Sequence, residues 1–337
     1  MDDVGEHRLR EWVREDFAVE LTALDRVRHG ADVDAAVWHG VSGDARYAVK
    51  RSGGGTPAGL LVPAGLAARG VPGVVAPVPT RLGKPWSERR GRRLSLVPWV
   101  SDVGALNGGM TARQWTRYGA LLASAHATAP SGPMVEALPR TAYTAHRRWV
   151  SEVRALDSRL RAGVPADPLA RAAAEEWRAA AGLVSALVER AGELGRELRA
   201  KPAADVLCHG DPHLGNVLVH RDGQVWLIDW DDAVLAPREL DLMFVIGGVL
   251  AFAPVGPRER SWFFDGYGPV DVDPARLAYF RCTRALEDLV VPAAHAVLSV
   301  PSVPSAQDGG CPEHERAEAL ALFRGVLSPT GLASYAV

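Results

Sequence analysis

The first third of the chain reads as short strands joined by tight turns. Val19–Arg28, Val33–Val41 and Ala45–Arg51 are separated by His29-Gly30-Ala31-Asp32 and by Ser42-Gly43-Asp44. Both breaks have hairpin chemistry, so a three-stranded antiparallel meander is predicted. Gly53-Gly54-Gly55 opens a loop, Pro57–Arg69 reads as a helix, and Val74–Leu82 and Arg93–Val100 read as two more strands. After the polar, glycine-rich stretch Ser101–Gly109 the period changes to that of a helix. Thr111 caps a predicted helix reaching Thr128, with Trp115, Tyr118, Leu122 and His126 recurring every three or four residues. Asp167-Pro168 starts another that runs to about Ala200, and Asp273-Pro274 a third. A strand-rich island, Val206–Asp229, lies between those two, and Ser299–Pro312 reads as a loop before a final helix. The expectation is an α+β protein: residues 1–100 built on a small antiparallel sheet, and residues 101–337 mainly helical.

Length and charge narrow the partners. A chain of 337 residues suits two domains or one two-part unit. Its net charge of −2 provides no basic field for a nucleic acid backbone, so nucleic acid is not expected as a partner. Cys208, Cys282 and Cys311 contain no CxxC pair and read as reduced thiols. The charged start, Met1–Glu15, lacks the apolar core of a signal peptide. Leu242–Gly256, the longest apolar run, carries three glycines and a proline and falls short of the about 20 residues a membrane span needs. A soluble, cytoplasmic protein is expected, either monomer or dimer. Lysine occurs only at Lys50, Lys84 and Lys201, and asparagine only at Asn107 and Asn216, which draws attention to each.

The candidate chemistry lies in Val206–Asp232. Asp222-Gly223 between two apolar runs is a strong hairpin signal. A two-residue turn there places Asn216 directly opposite Asp229, with Cβ atoms about 4.5–5.5 Å apart. An amide oxygen and a carboxylate converging in this way begin a Mg²⁺ site, because this hard cation takes few protein oxygens and completes its shell with water and phosphate. Asp211, five residues before Asn216, stands beside the metal without ligating it. Phosphoryl transfer needs these parts: a carboxylate for the hydroxyl proton, Asn and Asp for magnesium, and a lysine from a separate sheet for the phosphates.

The run His209-Gly-Asp-x-His-x-x-Asn216, followed by Ile228-Asp-Trp-Asp231, resembles the aminoglycoside phosphotransferases and related small-molecule kinases, which share a two-lobed protein-kinase-like fold. Tyr47-Ala-Val-Lys50 is similar to the strand carrying the nucleotide lysine, and Leu94–Val100 to the hinge strand of the adenine pocket. The resemblance implies Asp211 as catalytic base, Asn216 and Asp229 as magnesium ligands, and Lys50 on the α and β phosphates. Pro98, Trp99 and Val100 would line the nucleotide pocket, His209 and His213 would brace the loop, and ATP (or GTP) with Mg²⁺ would be the cofactors. Two departures stand out. No Asp or Glu occurs between Lys50 and Glu88, so the usual acidic partner of such a lysine is missing, and no GxGxxG covers the phosphates. The equivalent turn would be His29–Asp32.

Within the family the similarity is greatest to spectinomycin phosphotransferases, through Asp229–Phe244, Tyr279–Leu289, and Leu61-Val-Pro63 to Thr80. The acceptor implied is a cationic polyhydroxyl small molecule, an aminocyclitol whose modification gives antibiotic resistance. Glu287 and Asp288, one helical turn from Arg284, would read its amines, Asp231 would face the metal or the acceptor, and Trp230 would supply a flat wall. Three alternatives compete: a kinase of choline, a sugar amine, homoserine or a macrolide; a non-catalytic binding protein on the same fold; and a zinc hydrolase using His209, Asp211, His213, Asp229 and Asp231. The zinc scheme leaves Asn216 and Lys50 unused.

Overall fold

The computed structural model describes residues 4–27, 35–54, 56–201, 203–247, 249, 252–298 and 313–337. The turn His29–Asp32, the loop 299–312 and Cys311 lie outside these residues. The elements in chain order are α1 (Glu6–Phe17), β1 (Ala23–Val27), β2 (Ala35–Ser42), β3 (Ala45–Ser52), α2 (Ala58–Ala68), β4 (Ser87–Arg89) and β5 (Arg92–Pro98). Next come α3 (Ala105–Gly108), α4 (Ala112–Ala127), α5 (Pro133–Ala137), α6 (His146–Ala162), α7 (Pro168–Ala179) and α8 (Ala181–Arg199). Then follow β6 (Val206–Cys208), β7 (Val217–Val219), β8 (Val225–Leu227), β9 (Val234–Ala236), α9 (Glu239–Ile246), α10 (Pro257–Tyr267), α11 (Pro274–Leu298), α12 (Glu313–Leu327) and α13 (Leu332–Ala336). They divide into two compact units: Met1–Arg140 with Val206–Leu235 and Ser261–Pro269, and Thr141–Asp205 with Ala236–Arg260 and Val270–Val337.

The first unit is built on an antiparallel sheet of order β1-β2-β3-β5-β4. The meander forms as expected, with Ser42 paired to Ala45 across Gly43-Asp44. Strand alternation decides where Lys50 points. Its neighbour Val49 is buried with Trp38, Leu94 and Leu96 against Leu9, Trp12, Val13 and Phe17 of α1, so Lys50, one residue on, belongs to the opposite face. Lys50 itself pairs with Val37 on one side and Ser95 on the other. The buried stripe of α1, Leu9, Trp12, Val13 and Phe17, lies within a heavily charged segment whose charge masks its helical period.

Val74–Leu82 is not the strand its sequence suggests. Among the described residues its pairing with strands is an isolated bridge from Val74 to Leu227 and a bond from Val78 N–H to the Leu96 carbonyl, 2.7 Å; Thr80 and Arg81 N–H go instead to the Lys84 and Asp16 carbonyls. Pro77 and Pro79 remove the donors that a ladder requires. The missing sheet position is filled by β4, which turns into β5 through Arg90 and Gly91, both left-handed (φ 53° and 68°).

α4 starts where expected: the Thr111 hydroxyl accepts the Gln114 N–H at 3.3 Å and the Gln114 side chain accepts the Thr111 N–H at 2.8 Å, a capping box. The second unit is helical around α11. Tyr279, Cys282, Leu286, Leu289 and Ala293 pack with residues of α6, α7, α8, α9, α12 and α13 in one apolar core. Asp273 caps α11 by accepting the Ala275 N–H at 2.8 Å. The long helix predicted from Pro168 to Ala200 is two helices, α7 and α8, meeting at Ala180. No helix among the described residues is long and apolar enough to cross a membrane.

Candidate active site

β7 and β8 form the expected hairpin, but its register differs by one residue. Val217 pairs with Leu227 and Val219 with Val225, and the Ile228 N–H donates to the Asn216 carbonyl at 3.0 Å. Asn216 therefore faces Ile228, and Asp229 lies one position further along. The cause is the loop. Gly223 N–H bonds to the His220 carbonyl at 3.0 Å and Gly223 adopts φ 88°, a three-residue connection in place of the two-residue turn. The shift would turn the next side chain to the other face, were Asp229 extended. It is not: Asp229 has φ 63° and ψ 66°, a left-handed conformation that ends the strand and starts the single 3₁₀ turn Trp230–Asp232. Non-glycine residues held there concentrate at functional sites.

From this position Asp229 and Asp231 meet the sheet. Lys50 Nζ lies 3.3 Å from Asp229 Oδ1 and 2.6 Å from Asp231 Oδ2. The lysine without an acid in α2 thus has two carboxylates from the hairpin. Burial by itself would lower the Lys50 pKa; Asp229 and Asp231 outweigh that and hold it above the usual lysine value.

The loop 209–216 is fixed from below. His209 is fully buried; its Nδ1 accepts the Asp211 N–H at 3.3 Å, which leaves Nε2 carrying the proton that it donates to the Ile228 carbonyl at 2.9 Å. That pattern fixes a neutral ring bridging the loop and the hairpin. His213 Nδ1 accepts the Gly215 N–H at 2.9 Å, starting the short turn that delivers Asn216, and its Nε2 lies 3.4 Å from Asp211 Oδ2. Asn216 Nδ2 donates to the Asp211 carbonyl at 2.9 Å, so Oδ1 is its remaining ligand atom. Gly210, at φ 92°, backs onto the turn so closely that a Cβ would sit 2.2 Å from the Asp232 carbonyl oxygen. From α4, the buried Tyr118 hydroxyl holds the Pro212 carbonyl. Sequence reading missed Tyr118 in this role, since its helical spacing marks it only as core.

Trp230 is not a wall for a ligand. It is 2% exposed, stacks obliquely on His209 at 4.6 Å between ring centroids, and donates its indole N–H to the Leu227 carbonyl at 3.1 Å. Because His209 is buried beneath this ring, His209→Ala is expected to cost about 1–3 kcal/mol of folding stability by orphaning the Ile228 carbonyl. Denaturant melts of the two variants check this: His213→Ala, on a partly exposed ring, should cost less.

The donor set suits a hard divalent cation. Asp232 still reaches solvent, yet its carboxyl is pushed up, first by loss of hydration and then by Asp211, Asp229 and Asp231. These carboxylates, like the Asn216 amide oxygen, are oxygen ligands, the chemistry magnesium selects. At the end of β5, the three expected nucleotide-pocket residues differ in what they offer. Pro98 has no N–H, and Trp99 N–H is committed to the Arg46 carbonyl at 2.8 Å. The Trp99 indole is also held, donating to Asp102 Oδ1 at 2.7 Å. Val100 therefore carries the backbone donor of this segment. Glu287 and Asp288 lie in α11 of the second unit, where Asp288 Oδ1 accepts from Arg284 Nε at 2.7 Å.

Comparison with known proteins extends this picture. A spectinomycin phosphotransferase crystallised with ADP and spectinomycin is similar over 99% of this chain and 98% of its own, at 25% identity and a TM-score of 0.86. An amicoumacin kinase in complex with AMP-PNP, Ca²⁺ and Ami shares the fold at 15% identity, covering 97% of this chain and 95% of its own, TM-score 0.61. So does the macrolide 2′-phosphotransferase MphH from Brachybacterium faecium, at 15% identity, 94% and 97% coverage and a TM-score of 0.54. The α+β, kinase-like fold expected from the motif is the one these structures have. No curated protein matches in sequence. The model of the phosphotransferase enzyme family matches residues 25–280, taking in the sheet that carries Lys50, the loop of Asp211 and the hairpin of Asn216 and Asp229, and the chain belongs to that family.

Proposed function

We propose that this phosphotransferase moves the γ-phosphate of ATP to a hydroxyl of a cationic aminocyclitol, spectinomycin or a close analogue, and thereby confers resistance to it. The observation that carries the reading is the meeting of Lys50 with Asp229 and Asp231, because it joins the sheet to the end of the β7–β8 hairpin, whose other strand begins next to Asn216, across 179 residues of chain. Residues 1–100 serve as the nucleotide lobe and 101–337 as the lobe bearing the catalytic loop and the acceptor pocket. The likeness to the spectinomycin enzyme along nearly the whole of both chains supports the acceptor class.

In this reading Lys50 holds the α and β phosphates, Asn216 and Asp229 hold Mg²⁺, and the Val100 N–H meets the base. Magnesium, when bound, would neutralise charge on the phosphates of the nucleotide. Asp211 orients the acceptor hydroxyl and takes its proton as the bond from that oxygen to the γ-phosphorus forms and the bond from the γ-phosphorus to the β,γ-bridging oxygen breaks, releasing ADP, and His213 Nε2–H steadies the Asp211 carboxylate. The missing acid in α2, which favoured a non-catalytic binding protein, loses its force once Asp229 and Asp231 stand at the lysine.

The test is ATP consumption by the purified protein against a panel of hydroxylated amines: spectinomycin, kanamycin, choline, homoserine and a macrolide, each repeated with GTP. Spectinomycin-dependent turnover with ATP and Mg²⁺ is expected. Turnover with choline or homoserine and none with spectinomycin would overturn the acceptor assignment and leave the kinase in place.

A further inference from the structure

Lys50 touches two carboxylates, and only one of them is needed for metal. We propose that Asp231 is the positioning residue of Lys50, standing in for an acid that α2 does not carry, with Gly59 making room for it. The proposal rests on the reading of Lys50 as the phosphate lysine.

Three observations converge. First, α2 reads AGLLVPAGLAA and offers no carboxylate at any position. Second, of the two bonds to Lys50 Nζ the one from Asp231 is the shorter, 2.6 Å against 3.3 Å, and Asp231 is less exposed than Asp229. Third, α2 approaches the 3₁₀ turn through a residue without a side chain. A Cβ on Gly59 would lie 1.9 Å from Asp231 Oδ1 and 3.0 Å from its Cα. The Asp231 carboxylate occupies the space of a side chain at position 59, against the first turn of α2, whose positive end favours a carboxylate. The acid has moved from the helix to the hairpin, and the helix has given up its side chain to admit it. With Asp229 committed to the cation, Asp231 keeps the ammonium of Lys50 pointed at the phosphates.

The chain has three lysines, Lys50, Lys84 and Lys201, so ¹⁵N-lysine labelling yields a three-signal ammonium NMR spectrum of the nucleotide-free protein. The Lys50 signal should be protected from solvent exchange, lost in Asp231→Asn and in Gly59→Ala, and retained in Asp229→Asn. Gly59→Ala removes no charge and strengthens helix propensity, which separates mispositioning from misfolding. In kinetics, Asp231→Asn should lower kcat/KM for ATP about 10- to 100-fold, the scale of an ångström of misplacement. The double variant with Lys50→Ala should be no worse than Lys50→Ala alone.

A protected Lys50 signal in Asp231→Asn would overturn the proposal, as would losses that multiply in the double variant, which would put Asp231 on the metal or the acceptor. A harmless Lys50→Ala would instead remove the assignment of the lysine to the phosphates, whatever the spectrum shows.

Discussion

Asp211→Asn is expected to slow turnover by about 10²–10⁴-fold, the usual contribution of a general base, while changing the ADP dissociation constant less than about twofold. The separation follows from which atoms hold the loop. The contacts that shape it around residue 211 use the main chain: the Asp211 N–H goes to His209 Nδ1, and its carbonyl accepts from Asn216 Nδ2. Asparagine keeps both, and its Oδ1 still meets the His213 Nε2–H, which lies 3.4 Å from Asp211 Oδ2. What is lost is the second carboxylate oxygen and its capacity to take a proton. Single-turnover measurement of product alongside calorimetric ADP binding checks both halves. Wild-type turnover in the variant would remove Asp211 from the reaction; a large loss of ADP affinity would make it part of nucleotide binding instead.

How much of this was legible in the chain depends on the range of the interaction. His209-Gly-Asp-x-His-x-x-Asn216 encodes much of its own loop: the bonds from Asp211 N–H to His209, from Gly215 N–H to His213 and from Asn216 to the Asp211 carbonyl run over two to five residues. Such local chemistry can be read from spacing. The hairpin was readable to within one residue, because Asp222-Gly223 signals a turn equally well whether the left-handed glycine closes a two- or a three-residue loop. The partners of Lys50 were not readable. They lie 179 and 181 residues away, and a search for an acid near the lysine in sequence looks in the wrong element. Trp230 was misjudged for a related reason: beside two site carboxylates it resembles a binding aromatic, and only the buried His209 beneath it makes it a brace. Val74–Leu82 failed on its prolines, and α1 was hidden by the charge on its outer face, although Leu9, Trp12, Val13 and Phe17 have the spacing of a buried stripe.

Asp229→Ala is expected to abolish productive Mg-ATP use, with kcat/KM down by at least about 10²–10³-fold, the scale of losing one electrostatic stabiliser of the transferring group. The substitution acts twice. It removes a carboxylate that faces Lys50 at 3.3 Å and is assigned to the cation, and it leaves at φ 63° an alanine without the short polar side chain that lets Asp and Asn accept the left-handed region. Asp229→Asn separates the two effects, because asparagine tolerates the left-handed region. It should melt like the wild type, remain catalytically crippled, and demand a higher magnesium concentration for its residual activity, since an amide oxygen is a weaker ligand than a carboxylate. Magnesium titrations of residual turnover, set beside thermal melts of both variants, read these terms independently. Were Asp229→Asn to need no more magnesium than the wild type, the metal would have to sit elsewhere, and the left-handed turn at Asp229 would serve only to aim Asp231 at Lys50.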